Sequence, residues 1–515
     1  MNEADKGSYL YARWLYLRIL GAGFLTSFLS LATQLNGLIG PRGILPAQEY
    51  LQAVARAVPG WQRFVFAPTL LWLNANAPGL ALLCLIGGIA GLLLLLNLAP
   101  RASVVVAGLC YLSVISVARN FSGFQSDGLM LESAFLAAFL APSGFRPKLA
   151  ADQPVSRIVR YLLWWFCFRL MLESGTAKLL SGDPTWRNFT ALNDYYVNCP
   201  IPTWIGWFVQ HLPPLFHESA VAFTFVVELI APFLIVCGRR ARLVAGLLWI
   251  AMHTGILLTA NYTFLNYNSI ALGILLFDDA FLRRLFRRPA IPVPPPTSWD
   301  WKRAWRFVLP AIVLGWQFYV ATFLFLGSIQ APVQGLPPAF WQPVIAADPF
   351  RIANRYALFA SMTHERLEIE YEGSNDGGRT WRVYPFKWQP QALDAHPRFM
   401  APHLPRFDWN LWFAGLSNYQ EYPLVLYAGA RLIEGEPSVI GLFAGNPFPD
   451  KPPEMVRFPS YQYHFTDLRT LFHEGRWWSR EFVGYYAPIV FRDPADGQIR
   501  LMPDAMADER GLLKR

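Results

Sequence analysis

Charged residues are scarce in this 515-residue chain. Asp, Glu, Lys and Arg make up 15% of the sequence, against roughly 25% in an average soluble protein. Hydrophobic residues make up 54%, so the composition excludes an ordinary soluble protein and predicts a membrane protein. Cysteine and histidine are also few, at 5 and 8 residues. The scattered cysteines match neither a metal site nor a disulfide framework, and we expect no metal and no cofactor.

The signatures of common hydrolases and nucleotide-binding proteins are missing as well. The sequence contains no Gly-x-Ser-x-Gly elbow, no His-Glu-x-x-His helix, no P-loop and no Rossmann glycine pattern. The net charge of +9 is informative through its placement along the chain, and it gives no support to a nucleic-acid partner.

Long apolar segments dominate what the chain does contain. They approach the roughly 20 residues that a helix needs to cross a bilayer. The segments lie near residues 14–33, 78–98, 102–118, 128–142, 158–180, 218–237, 243–260, 264–282 and 307–327. Residues 1–330 are therefore predicted to form an α-helical multi-pass membrane domain of about nine spans.

The basic residues between these segments predict the orientation. Most of them fall in alternate connections on one side, including Arg239, Arg240 and the run from Arg283 to Arg288. The positive-inside rule then places the N-terminus in the cytoplasm and everything after Gly327 across the membrane. That side is the periplasm in a bacterium and the endoplasmic reticulum lumen in a eukaryote. The proline-rich residues 289–296 are expected to form a stiff cytoplasmic linker.

The composition changes after about residue 340, and residues 331–515 are predicted to form a mixed, β-rich domain outside the membrane. Apolar residues alternate with glutamates over 367–372, which is typical of a half-buried strand. A turn at 374–378 leads into a second strand at 380–384. Later, apolar spacing over 409–416 predicts a helix.

Two motifs in this domain resemble known patterns. His403 and Asp408 have the His-x4-Asp spacing that glycerolipid acyltransferases use, but Pro405 lies between them, and we interpret the pair as structural turn chemistry. Ser374-x-Asp376-x-Gly378-x-Thr380-Trp381 matches the Asp-box of β-hairpins. A single copy indicates a folding device in which side chains bond the backbone of the turn.

Ionisable residues within the apolar spans are the main candidate functional residues, because charges inside a bilayer are costly and usually mark function. We predict an intramembrane polar cluster of Asp127, Glu132, Arg169, Glu173, Lys178 and Glu228. Arg169 and Glu173 are four residues apart and can pair along one helix face. Either Arg169 or Lys178 could neutralise Glu132. The cluster could hold the helices together or could form a polar pocket for chemistry.

Lys178 is the one weak catalytic candidate. A lysine desolvated among apolar neighbours could act as a base, or its side chain could snorkel to the interface near the outer end of the span. The following loop, residues 182–217, is predicted to be an amphipathic outer loop with an interfacial helix near 200–217. Its tryptophans, Trp186, Trp204 and Trp207, are predicted to form a client or lipid surface.

Several motifs closely resemble the lipase maturation factor family. In the membrane region they are Gln125–Glu132, Arg169–Lys178 and Trp186–Leu192, and in the distal domain they include Ala401–Trp409 and Gly475–Glu481. The resemblance covers nearly the whole chain in order. It implies a membrane protein that helps lipases fold and assemble, with the C-terminal domain facing the lumen. The distal motif contributes His403, Arg406, Asp408 and Trp409 as family residues.

A shorter resemblance links Gly175-Thr-Ala-Lys178 and Trp186 to vitamin K-dependent carboxylases and DoxX-type proteins. It implies an alternative, a membrane-embedded enzyme in which Lys178 takes part in quinone chemistry. A transporter is a third interpretation, but no inverted repeat is visible. We predict a non-enzymatic maturation factor whose partners are membrane lipids and a lipase-like client. The sequence does not indicate an oligomeric state.

Overall fold

The structure, a computed structural model, describes residues 8–149, 154–288 and 305–503. The predicted linker at 289–296 lies outside the described residues. The helices of the first part are α1 (Leu10–Ala32), α2 (Leu35–Ile39), α3 (Ala47–Ala57), α4 (Gln62–Phe66), α5 (Ala77–Leu95), α6 (Pro100–Ile115), α7 (Gln125–Leu140), α8 (Arg157–Leu180), α9 (Pro184–Arg187), α10 (Tyr195–Asn198), α11 (Trp204–Gln210), α12 (Pro214–Phe225), α13 (Ala231–Leu234), α14 (Arg239–Thr259), α15 (Phe264–Ile274), α16 (Asp279–Phe286) and α17 (Trp305–Ser328).

Five helices among the described residues are long and apolar enough to cross a membrane. They are Leu10–Ala32, Ala77–Leu95, Pro214–Leu234, Arg239–Thr259 and Phe307–Ser328. The predicted count of about nine spans is not confirmed. Of the other predicted segments, α6 and α7 have 16 residues each, α8 carries several charges, and the segment predicted at 264–282 breaks after the 11 residues of α15.

Helix α1 packs along α5 at very short range. A Cβ atom added to Gly21 would lie 2.5 Å from the backbone nitrogen of Leu95, and one on Gly91 would lie 2.6 Å from that of Leu25. Only glycine allows the two backbones to approach so closely, as at small-residue contacts between membrane helices.

The helical segment Pro214–Leu234 contains one turn that is wider than an α-helical turn. Between α12 and α13, residues Val226–Ile230 form a π turn. Pro232 follows this turn and has no N–H to donate to the carbonyl of Glu228, and its ring crowds that carbonyl in a regular α-helix. Such π turns often occur at functional sites, and this one contains Glu228.

The C-terminal unit is mixed, as predicted, and has two antiparallel sheets. Its helices are α18 (Pro338–Ala347), α19 (Arg406–Gly415), α20 (Leu424–Glu434), α21 (Pro437–Ile440) and α22 (Leu468–Glu474). Its strands are β1 (Arg366–Ile369), β2 (Glu372–Ser374), β3 (Arg382–Val383), β4 (Met455–Arg457), β5 (Pro459–Phe465), β6 (Trp478–Tyr485), β7 (Val490–Arg492) and β8 (Ile499–Leu501). The sheet orders are β1-β5-β6 and β3-β2-β4-β7-β8. An aromatic core centred on Tyr371 packs the helices onto both sheets.

The prediction that residues 367–372 form a half-exposed strand is wrong in one respect. Glu368, Glu370 and Glu372 are buried, with at most 9% of their surface exposed. They pair, in that order, with Arg366, Arg480 and Arg457. The alternation of charge therefore reflects ion pairs inside the unit rather than a solvent-facing edge.

The Asp-box residues form the predicted turn. The Ser374 hydroxyl accepts a hydrogen bond from the amide of Gly378 at 3.0 Å, and the Asp376 carboxylate accepts one from the amide of Thr380 at 2.9 Å. Gly378 has a φ of 86°, a left-handed conformation that favours glycine. The motif therefore stabilises a hairpin turn.

The C-terminal unit contacts one end of the helical region. The contacts of the helical region are made by Ser30 at the end of α1, Asp127 near the start of α7, Lys178 near the end of α8 and Asn261 after α14. Ser30 and Lys178 lie within predicted spans, and Asp127 and Asn261 directly adjoin them. The unit is thus joined to the helical region through polar groups at or just beyond the ends of four helices.

Candidate functional site

One stretch of the C-terminal unit, residues 352–362, contacts the charges of α7 and α8. We refer to it as the inserted segment. It contains no helix or strand, and it supplies backbone groups and the side chains of Asn354 and Tyr356 to these charges. An irregular segment has free backbone N–H and C=O groups, so it can satisfy buried charges that another helix could not.

The centre of the first ion network is Arg169 on α8. Its guanidinium contacts Glu132 on α7 and lies 3.3 Å from Glu173, one turn further along α8. All three side chains are fully buried, with 0% of their surface exposed. The predicted Arg169–Glu173 pair is therefore present, and Arg169 is the cation that meets Glu132.

The inserted segment completes this network. The amide of Tyr356 donates to Glu173 at 2.8 Å, and the Tyr356 hydroxyl donates to Glu132 at 3.0 Å. The amide of Asn354 also donates to Glu132 at 3.0 Å, while its carbonyl accepts from Arg169 at 3.0 Å. Two carboxylates face a single guanidinium, so these neutral donors supply the hydrogen bonds that a buried ion cluster needs.

A second ion pair links α8 to the π turn. The Lys178 ammonium lies 2.8 and 3.0 Å from the Glu228 carboxylate oxygens, 2.9 Å from the carbonyl of Leu358 and 3.3 Å from that of Ser174. Lys178 is 3% exposed, so it does not snorkel to the interface. Its N–H donors have acceptors on Glu228, Leu358 and Ser174, so the side chain joins α8 to the π turn and to the inserted segment.

Gly175 allows this pair to form. A Cβ atom at this position would lie 2.7 Å from Leu229 and 2.9 Å from Glu228. Those distances are too short for real side-chain atoms, so α8 can approach the π turn closely only because residue 175 is glycine. The Gly-Thr-Ala-Lys motif thus places Lys178 against Glu228 on the neighbouring helix.

Asp127 belongs to a separate site. It does not join Arg169 but forms a two-pronged ion pair with Arg406 of α19, at 2.7 and 2.8 Å. The Tyr111 hydroxyl donates to Asp127 at 2.5 Å and accepts from Arg406 at 3.0 Å. The predicted single cluster of six residues is thus three sites: one around Arg169, one at Lys178–Glu228 and one at Asp127–Arg406.

The remaining residues of the distal motif hold α19 in place. His403 Nδ1 lies 2.9 Å from the Ser30 hydroxyl of α1, whereas the Asp408 carboxylate accepts the amide of Trp388 at 3.2 Å. The two side chains therefore have different partners, which agrees with a structural role for the spacing. Burial lowers the pKa of His403 to about 4 and raises the pKa of Asp408 to about 7. Trp409 packs edge-on against Phe124.

The outer loop is more enclosed than the sequence suggests. Trp186 and Trp207 are 2% and 0% exposed. Their indole N–H groups donate to the carbonyls of Phe359 and Trp477 in the C-terminal unit, at 3.0 and 3.1 Å, so this unit contacts both side chains. The expectation that both form an open surface is wrong. Trp204 is 42% exposed, and α11 is shorter than the amphipathic helix predicted over 200–217.

Arg366 was not predicted from the sequence, and its side chain binds the backbone of the same loop. Its guanidinium donates to the carbonyls of Val197, Cys199 and Pro200 at 2.9, 2.6 and 3.0 Å. Little in the sequence around Arg366 distinguishes it from the other arginines of the chain. Among the described residues, no group of three or more His, Cys, Asp and Glu side chains is placed to hold a metal ion.

Comparisons with known proteins match most of the chain. The family model described as the lipase maturation factor transmembrane domain matches residues 11–284, and that of the lipase maturation factor C-terminal domain matches residues 352–488. Lipase maturation factor 1 of Bos taurus is 30% identical over 525 residues, which cover 95% of this chain and 91% of the relative. Lipase maturation factor 2 of Gallus gallus is 30% identical, covering 93% of this chain and 81% of the relative.

Lipase maturation factor 1 of Homo sapiens is 29% identical over 515 residues, covering 94% of this chain and 88% of the relative. No solved structure matches this chain. The two family models together include the three ion sites of the helical region, the inserted segment and the distal motif. The chain therefore belongs to the lipase maturation factor family.

Proposed function

We propose that this protein is a membrane-anchored maturation factor that assists the folding or assembly of exported lipases or similar clients. The carrying observation is the match to lipase maturation factors over 95% of the chain, through both the helices and the C-terminal unit. The buried ion sites support a structural role, because the charged groups at Arg169, Lys178 and Arg406 are all paired with partners inside the protein.

The C-terminal unit is proposed to lie on the non-cytoplasmic side, with residues 1–330 as the membrane domain and 331–515 as the exported domain. The helix ends that it contacts are those of α1, α8 and α14. The basic runs at 239–242 and 283–288 lie at opposite helix ends, which the positive-inside rule assigns to the cytoplasm. A client exported across the membrane would meet the C-terminal unit first.

The client surface is proposed to lie where α11 meets α22. The carbonyl of Thr466, just before α22, accepts a hydrogen bond from His211 at 2.9 Å, which holds the two elements together. On α22, Leu468 and Phe472 are 42% and 74% exposed, and Trp204 at the start of α11 is 42% exposed. Leu468 and Phe472 are four residues apart and share a face of α22. Exposed apolar groups of this kind suit a folding client that still exposes apolar surface.

The test is lipase maturation in a host that exports an inactive lipase. The lipase is co-expressed with the full-length protein, with F472E or with the matched control F145E. Phe145 is 73% exposed, close to the 74% of Phe472, but lies in the loop after α7. Active lipase per unit of lipase protein is measured in the export compartment.

We expect the full-length protein and F145E to raise lipase specific activity, and F472E to raise it much less at equal membrane abundance. Lipase activity that is the same with and without the full-length protein would refute the maturation role. A loss in both phenylalanine variants would refute the placement of the client surface on α22 while leaving the maturation role intact.

A further inference from the structure

A largely apolar cavity of about 230 Å³ lies beside the Lys178–Glu228 pair. It is enclosed by α8, α12, α14 and α15, with the inserted segment forming one wall. Its apolar lining includes Phe216, Phe223, Met252, Ile256 and Leu265. Binding pockets for small molecules commonly have this character, with apolar walls and a few polar groups that fix the orientation of the ligand.

The cavity also contains polar groups whose bonding is incomplete. His253 and Asn266 line it and are 3% and 0% exposed. His253 Nδ1 lies 3.2 Å from Asn266 Oδ1, and His253 Nε2 and Asn266 Nδ2 have no hydrogen-bond partner among the described residues. Leaving such groups unsatisfied in a buried site is costly. They therefore offer bonding positions to the polar head of a ligand in this cavity.

The hydrogen-bond pattern defines that head. Because the amide oxygen of Asn266 can only accept, His253 Nδ1 must donate to it, and Nε2 of the neutral ring is left as an acceptor. Asn266 Nδ2 is left as a donor. A hydroxyl group can donate to the first and accept from the second. A hydroxyl head therefore has the donor and acceptor capacity that these two groups lack.

The charges beside the cavity favour an uncharged head. Lys178 is already neutralised by Glu228 and donates to two carbonyls as well. No net positive charge remains on this pair to attract a phosphate or a carboxylate, whose burial without a partner is unfavourable.

The cavity opens towards the membrane between α12 and α14, which both belong to candidate spans. Phe223, Ala251 and Gly255 line the cavity and are exposed at this opening. A Cβ atom at Gly255 would have no neighbour within 4 Å, so this position faces open space. A ligand can therefore enter from the acyl chains of the bilayer.

We propose that this cavity binds a neutral membrane lipid with a free hydroxyl group, of the diacylglycerol class. The hydroxyl lies between His253 and Asn266, and an acyl chain leaves past Gly255 into the bilayer. This site is separate from the client surface on α22 and does not depend on the maturation role.

The proposal is tested with the full-length protein in nanodiscs and a diacylglycerol that carries a photoactivatable diazirine on one chain. The labelling is competed with unlabelled diacylglycerol, with phosphatidylglycerol and with a ubiquinone. We expect diacylglycerol to compete and the other two lipids not to. Competition by phosphatidylglycerol or by the quinone at equal concentration would overturn the assignment of a neutral hydroxyl head.

Variants then locate the label. G255F adds a ring at the opening, where a Cβ atom has no neighbour within 4 Å, and we expect about tenfold less labelling, the change that a loss of roughly 1.4 kcal/mol produces. G315F is the matched control, because Gly315 is also an exposed helix glycine with no neighbour within 4 Å but does not line the cavity. Equal labelling of wild type and folded G255F would refute the site. If G255F fails to fold, the competition series on the wild-type protein decides between the proposed lipid and the others.

Discussion

The ion pair between Arg406 and Asp127 gives the sharpest test of how the C-terminal unit is joined to the helices. Replacing Arg406 by methionine removes both bonds to Asp127, at 2.7 and 2.8 Å, and the bond to Tyr111 at 3.0 Å. Arg406 and Asp127 are 2% and 1% exposed, so water cannot replace the lost guanidinium. Among the described residues, the Tyr111 hydroxyl is then the remaining side-chain donor to the carboxylate.

Breaking a buried ion pair by removing one partner costs about 3–5 kcal/mol, because the other charge is left uncompensated. We therefore expect R406M to lose about 3–5 kcal/mol of stability. Replacing both charges by apolar residues of similar size is often neutral. The double variant D127L/R406M should accordingly recover most of this loss, although Tyr111 loses its acceptor.

The assay is thermal unfolding and limited proteolysis of the purified full-length protein in detergent, for wild type, both single variants and the double variant. R500M is the control, since Arg500 is 53% exposed and pairs with two aspartates at the surface, where ion pairs contribute little. If D127L/R406M is as unstable as the sum of its single variants, the two residues are not coupled and the reasoning fails.

Other buried contacts give three more predictions. G175A should destabilise the protein by about 1–3 kcal/mol, because its methyl group would meet Glu228 and Leu229. In the control G88A the nearest neighbour of the methyl group lies at 3.7 Å, so this variant should unfold at the temperature of wild type. K178M should cost about 3–5 kcal/mol and lower lipase maturation through reduced stability, and K178M/E228L should restore both; a stable but inactive double variant would instead indicate chemistry at Lys178. Burial raises the folded-state pKa of Asp408 from 3.8 and of Glu368 from 4.5 to about 7. The folded state therefore binds these protons more tightly than the unfolded chain does. The resulting stabilisation is complete below about pH 4 and is lost as the pH rises through about 7. D408N should therefore flatten the decline of stability between about pH 5 and 7.5, measured by denaturant unfolding, and an unchanged slope would contradict a raised pKa at Asp408.

Local spacing predicted part of the site. Arg169 and Glu173 are four residues apart on one helix, so their pairing follows from helix geometry alone. The ionisable residues also stood out in the sequence, since such residues are rare in apolar segments. The chain-long motifs predicted the family, which the comparisons confirm.

Long-range pairing was not accessible in this way. Asp127 and Arg406 are 279 positions apart, and no periodicity connects a membrane helix to a distal domain. The Lys178–Glu228 pair depends on a π turn before Pro232, which a regular helical pattern does not reveal. Trp186 and Trp207 are of a residue type that is common at membrane interfaces, yet the C-terminal unit covers both side chains. The orientation and the number of spans are physical inferences from charge and length, and the described residues support five spans by length and composition.

The most direct test of the central claim is the specific activity of an exported lipase, measured with wild-type protein, R406M and D127L/R406M at equal membrane abundance. We predict that wild type raises it, that R406M fails to do so, and that the double variant restores it, because maturation requires a C-terminal unit docked on the helices. Lipase specific activity that does not change with the presence of this protein, or with the docking of its C-terminal unit, would contradict the account.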